Sequence, residues 1–261
     1  MAPQVSNVKK IALIGATGLD WWVDEKKKSF IESITPCGYK IHNFVPRFGT
    51  HSVESHVDEA YNAPFILDKI VEAHQRNYDA IVIDCACDPV LVAAREAVET
   101  PVIGARNSAL HLALTLGTKF SIVTVQGQSL MRCMHQGVRM EGLERFLGSV
   151  RCLKIPVLDI ANDPEEAQDE LREESKKAIR EDGADVIILG CTGLSHQVDI
   201  KSISQELGVP VLDPLIVAVN IAVAIVESGL THSKVAYPSP PKKDIKEIPS
   251  LEGQFDKVLK K

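Results

Sequence analysis

Apolar runs of strand length punctuate the chain at Ile11–Ile14, Ile41–Val45, Ala80–Ile83, Phe120–Val125 and Val186–Leu189. Longer mixed stretches of helical period separate them. Ser55–Asn77 carries Val57, Tyr61, Phe65, Leu67, Ile70 and Val71 at helical spacing and predicts one long helix. Asp88-Pro89 predicts a helix start, with Asp as N-cap and Pro in the first turn. Asp163-Pro164-Glu165-Glu166 repeats that device and places a Glu at the capping-box position. Gly117 and Gly229 stand where helices are expected to stop. Pro238, Pro240 and Pro241 predict an extended surface segment over Tyr237–Lys243. Strands apolar throughout, alternating with helices, predict an α/β fold with parallel sheets.

An internal duplication sharpens this picture. Asp79 opens an apolar strand and Cys85 follows six residues later; Asp185 and Cys191 repeat the spacing. Each copy continues into a Pro-Val-aliphatic strand, Pro101-Val102-Ile103 and Pro210-Val211-Leu212. An apolar helix follows each, Ser108–Leu116 and Leu215–Val226. Two related lobes are expected, each presenting a cysteine at the C-terminal end of a strand, the edge where open α/β sheets bind ligands. Facing lobes would put Cys85 and Cys191 on either side of one cleft.

Composition narrows the function classes. With 261 residues, 45% hydrophobic and 25% charged, the chain is long enough for one large domain or two lobes. A net charge of −6 and an aromatic content of 5% argue against nucleic-acid binding. No secretory signal is visible, and the apolar run Leu215–Val226 is interrupted by Asn220 and too short to span a bilayer. A cytoplasmic chain without a membrane partner is expected, its six cysteines free thiols.

A thiolate is both a nucleophile and a base, and two thiols on opposite faces of a carbon acid suit racemisation. One takes the α-proton and the other returns a proton from the far side. Hydrogen bonds hold the enolate between the two steps, so no cofactor is expected. The turn Thr192-Gly193-Leu194-Ser195 offers backbone N–H groups for an oxyanion. Cys37, Cys133 and Cys152 are expected to be small buried hydrophobes, and His111 a satisfied core histidine. Cys85-Ala86-Cys87 lacks the spacing of a metal knuckle, and no metal is expected. Gly15-Ala16-Thr17-Gly18 lacks the dinucleotide fingerprint but can face an anion.

Cys85-Ala86-Cys87-Asp88-Pro89-Val90-Leu91 through Ala93-Ala94-Arg95-Glu96 resembles a segment of the aspartate/glutamate/hydantoin racemase superfamily, in its hydantoin/allantoin branch. Val90 stands where that segment has Gly. Ser52-Val53-Glu54 with Asp58-Glu59-Ala60, Phe120–Thr124 and Leu189-Gly190-Cys191-Thr192-Gly193 are similar as well. The resemblance implies two pseudo-symmetric, flavodoxin-like lobes with an interlobe cleft, divided as 1–105 plus 211–261 and 106–210. It implies Cys85 and Cys191 as the acid/base pair, with Thr17, Ser52, Ala86, Cys87, Thr124, Thr192 and Gly193 around a small-molecule substrate. The expected activity is a racemase or epimerase of a 5-substituted hydantoin or related cyclic ureide, in a homo-oligomer. Decarboxylation or cis–trans isomerisation of a small dicarboxylate is the alternative, and a non-catalytic binding protein a remoter one. Trp21 and Trp22, beside a first loop smaller than the family's Asn-Pro-Asn-Thr, are expected to help the first lobe set specificity.

Overall fold

The structure is a computed structural model that describes residues 8–18 and 24–242. Its strands form two four-stranded parallel sheets. The first contains β1 (Lys9–Gly15), β2 (Tyr39–Phe44), β3 (Ala80–Asp84) and β4 (Val102–Gly104), in the order β2-β1-β3-β4. The second contains β5 (Phe120–Thr124), β6 (Leu147–Cys152), β7 (Val186–Leu189) and β8 (Val211–Leu212), in the order β6-β5-β7-β8. The two orders superimpose when β1 is matched to β5. The protein is therefore α/β with two related lobes, and the duplicated sequence is its visible trace.

The repeated aspartates explain part of that symmetry. Asp79 Oδ2 accepts from the Lys10 backbone N–H at 2.7 Å, and the Asp79 N–H donates to the Lys10 carbonyl. Asp185 does the same for Lys119, accepting at 2.8 Å and donating to its carbonyl. Each Asp thus ties the start of one central strand to the start of its neighbour. Gly117 ends its helix with extended backbone and lies against the Asp185 carboxylate, which leaves no room for a Cβ. Gly229 stops the last helix in the left-handed conformation, φ 63°.

Helices α1 (Glu25–Ile34), α2 (His56–Gln75), α3 (Leu91–Ala97) and α4 (Ala105–Leu116) accompany the first sheet. Helices α5 (Gln128–Met140), α6 (Pro164–Asp182) and α7 (Ile200–Leu207) accompany the second, and α8 (Pro214–Glu227) returns to the first. One face of the first sheet buries Ile11, Leu13, Val82 and Ile103 with Leu215 and Val219 of α8. The other face buries Ile14, Ile81 and Ile83 in a larger core that continues into the second lobe. Each fully buried Ile or Leu contributes roughly 1.5–3 kcal/mol. Because β8 pairs with β7, the chain leaves the second lobe after Leu212 and not before Val211. Among the described residues, no helix is long and apolar enough to cross a membrane.

Several local expectations need correction. In α2 the buried face includes Ile66, Leu67, Ile70 and Val71, whereas Val57 and Tyr61 near its start are exposed. His111 is exposed on α4, its Nδ1 2.8 Å from the Asn107 carbonyl. Cys37 is exposed, Cys152 half-buried and Cys133 buried. Asp163 does cap α6, accepting from Glu166 N–H at 3.0 Å. Asp88 does not cap the helix that follows it. That helix, α3, begins only at Leu91, behind a turn in which Asp88 and Val90 both have positive φ. Asp88 instead accepts from the backbone N–H groups of Arg106 (3.1 Å) and Asn107 (2.7 Å), and so caps α4.

Val90 sits at φ 58°, ψ 11°, a left-handed position that suits Gly and costs a β-branched residue about 1–2 kcal/mol. Its half-buried side chain packs against the core and opposes that strain. Val90→Gly is expected to leave thermal stability unchanged or raise it slightly, by up to about 1 kcal/mol. A half-buried Val→Gly change at ordinary φ would instead be clearly destabilising. A lowered melting temperature would show that side-chain packing outweighs the strain.

Candidate active site

The C-terminal ends of the central strands from both lobes converge on one cleft of about 670 Å³, including the solvent space at its mouth. β1 delivers Gly15, Ala16 and Thr17, and β3 delivers Asp84, Cys85, Ala86 and Cys87. From the second lobe, β7 delivers Gly190, Cys191, Thr192 and Gly193. Val45, Val53, Val125, Leu130 and Val157 make most of the remaining wall apolar. Cys85 and Cys191, expected on opposite sides of a cleft, both line this one and both are half-buried.

Cys191 precedes a single 3₁₀ turn, Thr192–Leu194. Burial pushes its thiol up to about 12, although the Gly193 and Leu194 N–H groups aimed at the sulfur pull the other way. The thiol is therefore a proton donor at neutral pH. Those N–H groups, expected to face a substrate oxyanion, point instead at the Cys191 sulfur. Thr124 Oγ1 donates to the Gly190 carbonyl at 3.0 Å, and a Cβ on Gly190 would lie 2.5 Å from Thr124 Cβ. Thr124 therefore braces the Cys191 loop from behind and is not in the cleft wall. Behind the same loop, Ser195 Oγ donates to Asp213 Oδ1 at 2.9 Å, and burial pushes Asp213 up to about 6.

On the Cys85 side, Lys27 Nζ meets Asp84 Oδ2 at 2.5 Å, and both side chains are almost fully buried. Lys27 belongs to a run of three lysines, of which it alone is buried. It stands four residues before Ile31, on the inward phase of α1, and that phase was the available signal for it. Next to this pair, burial and then the Lys27 charge push His196 down to about 4, so it is neutral.

Cys87 turns from the cleft wall into the protein. Contacts with the Cys133 and Cys85 sulfurs, and then burial, push its thiol well up. Cys133 Sγ donates to Glu59 Oε1 at 3.3 Å, and Arg106 Nη1 lies 3.6 Å from the same sulfur. Glu59, Cys87 and Cys133 could between them hold a metal, their ligand atoms lying within 4.8 Å of one another. The Arg106 guanidinium, however, places a fixed positive charge against that spot.

Thr17, Ala86, Cys87, Thr192 and Gly193, all expected near substrate, do line the cleft. Ser52 does not: it is buried and bonds Glu54, and Val53 takes the wall position. Trp21 and Trp22 lie outside the described residues. Lys27, Asp84 and Asn43 line the cleft without having been singled out. The tail is held by Arg95, whose Nη1 donates to Tyr237 Oη at 3.1 Å.

Two related α/β lobes that each place a cysteine in one cleft fit a racemase-type isomerase, and the comparisons with known proteins show that class. The family model for Asp/Glu/Hydantoin racemase matches residues 28–222, and the chain belongs to that family. It is 38% identical to a hydantoin racemase of Pseudomonas sp. (strain NS671) over 76% of this chain and 79% of the relative. Among solved structures it is similar to the allantoin racemase from Klebsiella pneumoniae, with a TM-score of 0.86 and 31% identity, covering 96% of this chain and 98% of that one. The allantoin racemase from Pseudomonas fluorescens follows, with a TM-score of 0.83 and 29% identity over 91% of this chain and 100% of that one.

Proposed function

We propose that this racemase inverts the asymmetric carbon of 5-substituted hydantoins or closely related cyclic ureides, using Cys85 and Cys191 as its two acid/base groups. The observation that carries the substrate class is the balance of charge in the cleft. Its wall is mainly apolar, and its one ammonium among the described residues, Lys27, is already matched by Asp84. A neutral ring with an apolar substituent suits that wall. The carboxylate of an amino acid or dicarboxylate finds no surplus positive charge there, and desolvating it uncompensated would cost several kcal/mol. The same balance disfavours a dicarboxylate decarboxylase or cis–trans isomerase on this scaffold.

The chemistry needs no group beyond the side chains. The ring carbonyl beside the reactive carbon accepts the electron pair when the proton leaves, giving a planar enolate. A thiolate on one face takes that proton, and a thiol on the other returns one. Cys191, a thiol at neutral pH, fits the donor half of this cycle.

Racemisation of optically pure hydantoins, followed by circular dichroism and compared with maleate and arylmalonates, tests the substrate class. Iodoacetamide labelling separates an enzyme from a binding module. Fast labelling of Cys85 near neutral pH, shielded by a hydantoin, is expected. Slow labelling without protection, together with no racemisation, would refute the reading.

A further inference from the structure

We propose that Lys27 and Asp84 form a donor–acceptor pair that reads one edge of the substrate ring, Lys27 donating to the carbonyl beside the reactive carbon and Asp84 Oδ1 accepting from the adjacent ring N–H. The proposal rests on the cyclic-ureide reading above and assigns two further residues to it.

Four observations converge on this pair. Both residues line the cleft that holds Cys85 and Cys191. Asp84 ends β3 immediately before Cys85, so its carboxylate is fixed by the strand that positions the catalytic thiol. Its side chain is 2% exposed, and only one of its oxygens is used: Oδ2 meets Lys27, whereas Oδ1 has no hydrogen-bond partner among the described residues. A buried carboxylate oxygen left unsatisfied is costly, and a substrate N–H reaching it from the cleft would satisfy it. Lys27 reaches the same spot from α1, in the other half of the first lobe's sequence, with Asp24 fixing its first turn through a 2.7 Å bond to the Lys27 N–H.

The chemistry of a ureide edge matches this arrangement. A ring amide is cis, so its C=O and N–H lie side by side on one edge, an acceptor beside a donor. The buried pair presents the complement, a donor beside an acceptor. As the proton leaves the reactive carbon for the thiolate, the electron pair moves onto that carbonyl oxygen. An ammonium already at that oxygen stabilises the enolate more than the ground state. Asp84, accepting from the N–H, keeps the ring in register and the Lys27 ammonium in place. The pair remains neutral in sum, so it reads a neutral edge without attracting carboxylates.

Methylation of the ring nitrogen beside that carbonyl provides the test, because it removes the donor and keeps the reactive carbon. The wild-type enzyme is expected to prefer the N–H ring over the N-methyl ring roughly 10- to 100-fold in kcat/KM. Asp84→Asn is expected to lose a similar factor on the N–H ring and little on the N-methyl ring, so the preference collapses. Loss of equal size on both rings, with the preference kept, would make the ion pair structural and overturn the proposal. Lys27→Gln is expected to lower kcat more than it raises KM; an effect on KM alone would overturn the role at the enolate.

A readout free of turnover and of mutant folding completes the test. A hydantoin with two methyl groups on its reactive carbon has no proton to lose and reports binding alone. It is expected to shield wild-type Cys85 from iodoacetamide, and its ring N-methyl derivative to shield at least 10-fold less well. Equal shielding by both would overturn the edge reading while leaving the cyclic-ureide reading intact. If no hydantoin shields the thiol and none is racemised, the substrate class itself falls.

Discussion

Cys85→Ala and Cys191→Ala are each expected to reduce racemisation by roughly 10³-fold or more, in keeping with the loss of a positioned acid or base. The two variants should nevertheless differ from each other in a diagnostic way. In a two-base cycle, each enantiomer loses its proton to the cysteine on one face. With the opposite cysteine changed to Ser, that proton can still exchange with solvent, but inversion fails. In deuterated water, Cys191→Ser is therefore expected to wash deuterium into one enantiomer only, and Cys85→Ser into the other. Exchange of both enantiomers by a single variant, or full turnover by either, would refute the two-cysteine assignment. The pH profile adds an independent check. Burial pushes the Cys191 thiol up to about 12, so its proton is retained where an ordinary thiol, near 8.5, has already lost one. The wild-type rate is accordingly expected to show no alkaline decline between about pH 8 and about pH 10. A fall in that window would mean that Cys191 ionises like an exposed thiol.

How much of this was legible in the sequence depends on how local the cause was. The two cysteines could be read because a strand fixes them relative to an aspartate six residues earlier, and the chain says it twice. The same repeat predicted two related lobes, and the structure shows each Asp serving the strand beside its own. Ser52 and Thr124 were singled out through resemblance, which marks segments and not the direction of side chains. One turns to Glu54 and the other to Gly190. Lys27 and Asp84 lie 57 residues apart and meet only once α1 has packed against the first sheet. No period or spacing connects them. The Cys133 contacts to Cys87 and Glu59 are equally non-local, crossing from α5 to the first lobe. In these pairs, what the sequence concealed was a contact made by tertiary packing.

Asp88 is the case where local reasoning assigned the right device to the wrong helix, and it carries the second large expected effect. Asp88-Pro89 reads as a cap for the residues that follow, yet the side chain turns back to α4. There Gly104 occupies the N-cap position and supplies no side chain of its own. A Cβ on Gly104 would lie 2.7 Å from the Asp88 carboxylate, so the glycine makes room for the borrowed cap. Asp88 also lies 3.9 Å from Arg106 Nε, and both side chains are largely buried. Asp88→Ala removes a helix cap and leaves a guanidinium without its carboxylate, beside the thiol cluster behind Cys85. The expected loss is about 3–5 kcal/mol, the usual cost of breaking a buried pair. For a chain of this size that corresponds to a drop in melting temperature of about 6–20 °C. Asp88→Asn keeps one acceptor for the α4 N–H groups and is expected to lose about half as much. The pH dependence has a definite sign. Burial outweighs the Arg106 charge and the two backbone bonds, so the Asp88 carboxyl titrates above its ordinary 3.8. A raised folded value means the folded state takes up the proton first, and this group's contribution grows as pH falls through that value. Thermal melts at about pH 7 and about pH 5 should therefore show an Asp88→Ala penalty that is no smaller in acid. A penalty that vanished on acidification would mark an ordinary exposed ion pair, with α4 capped by other means.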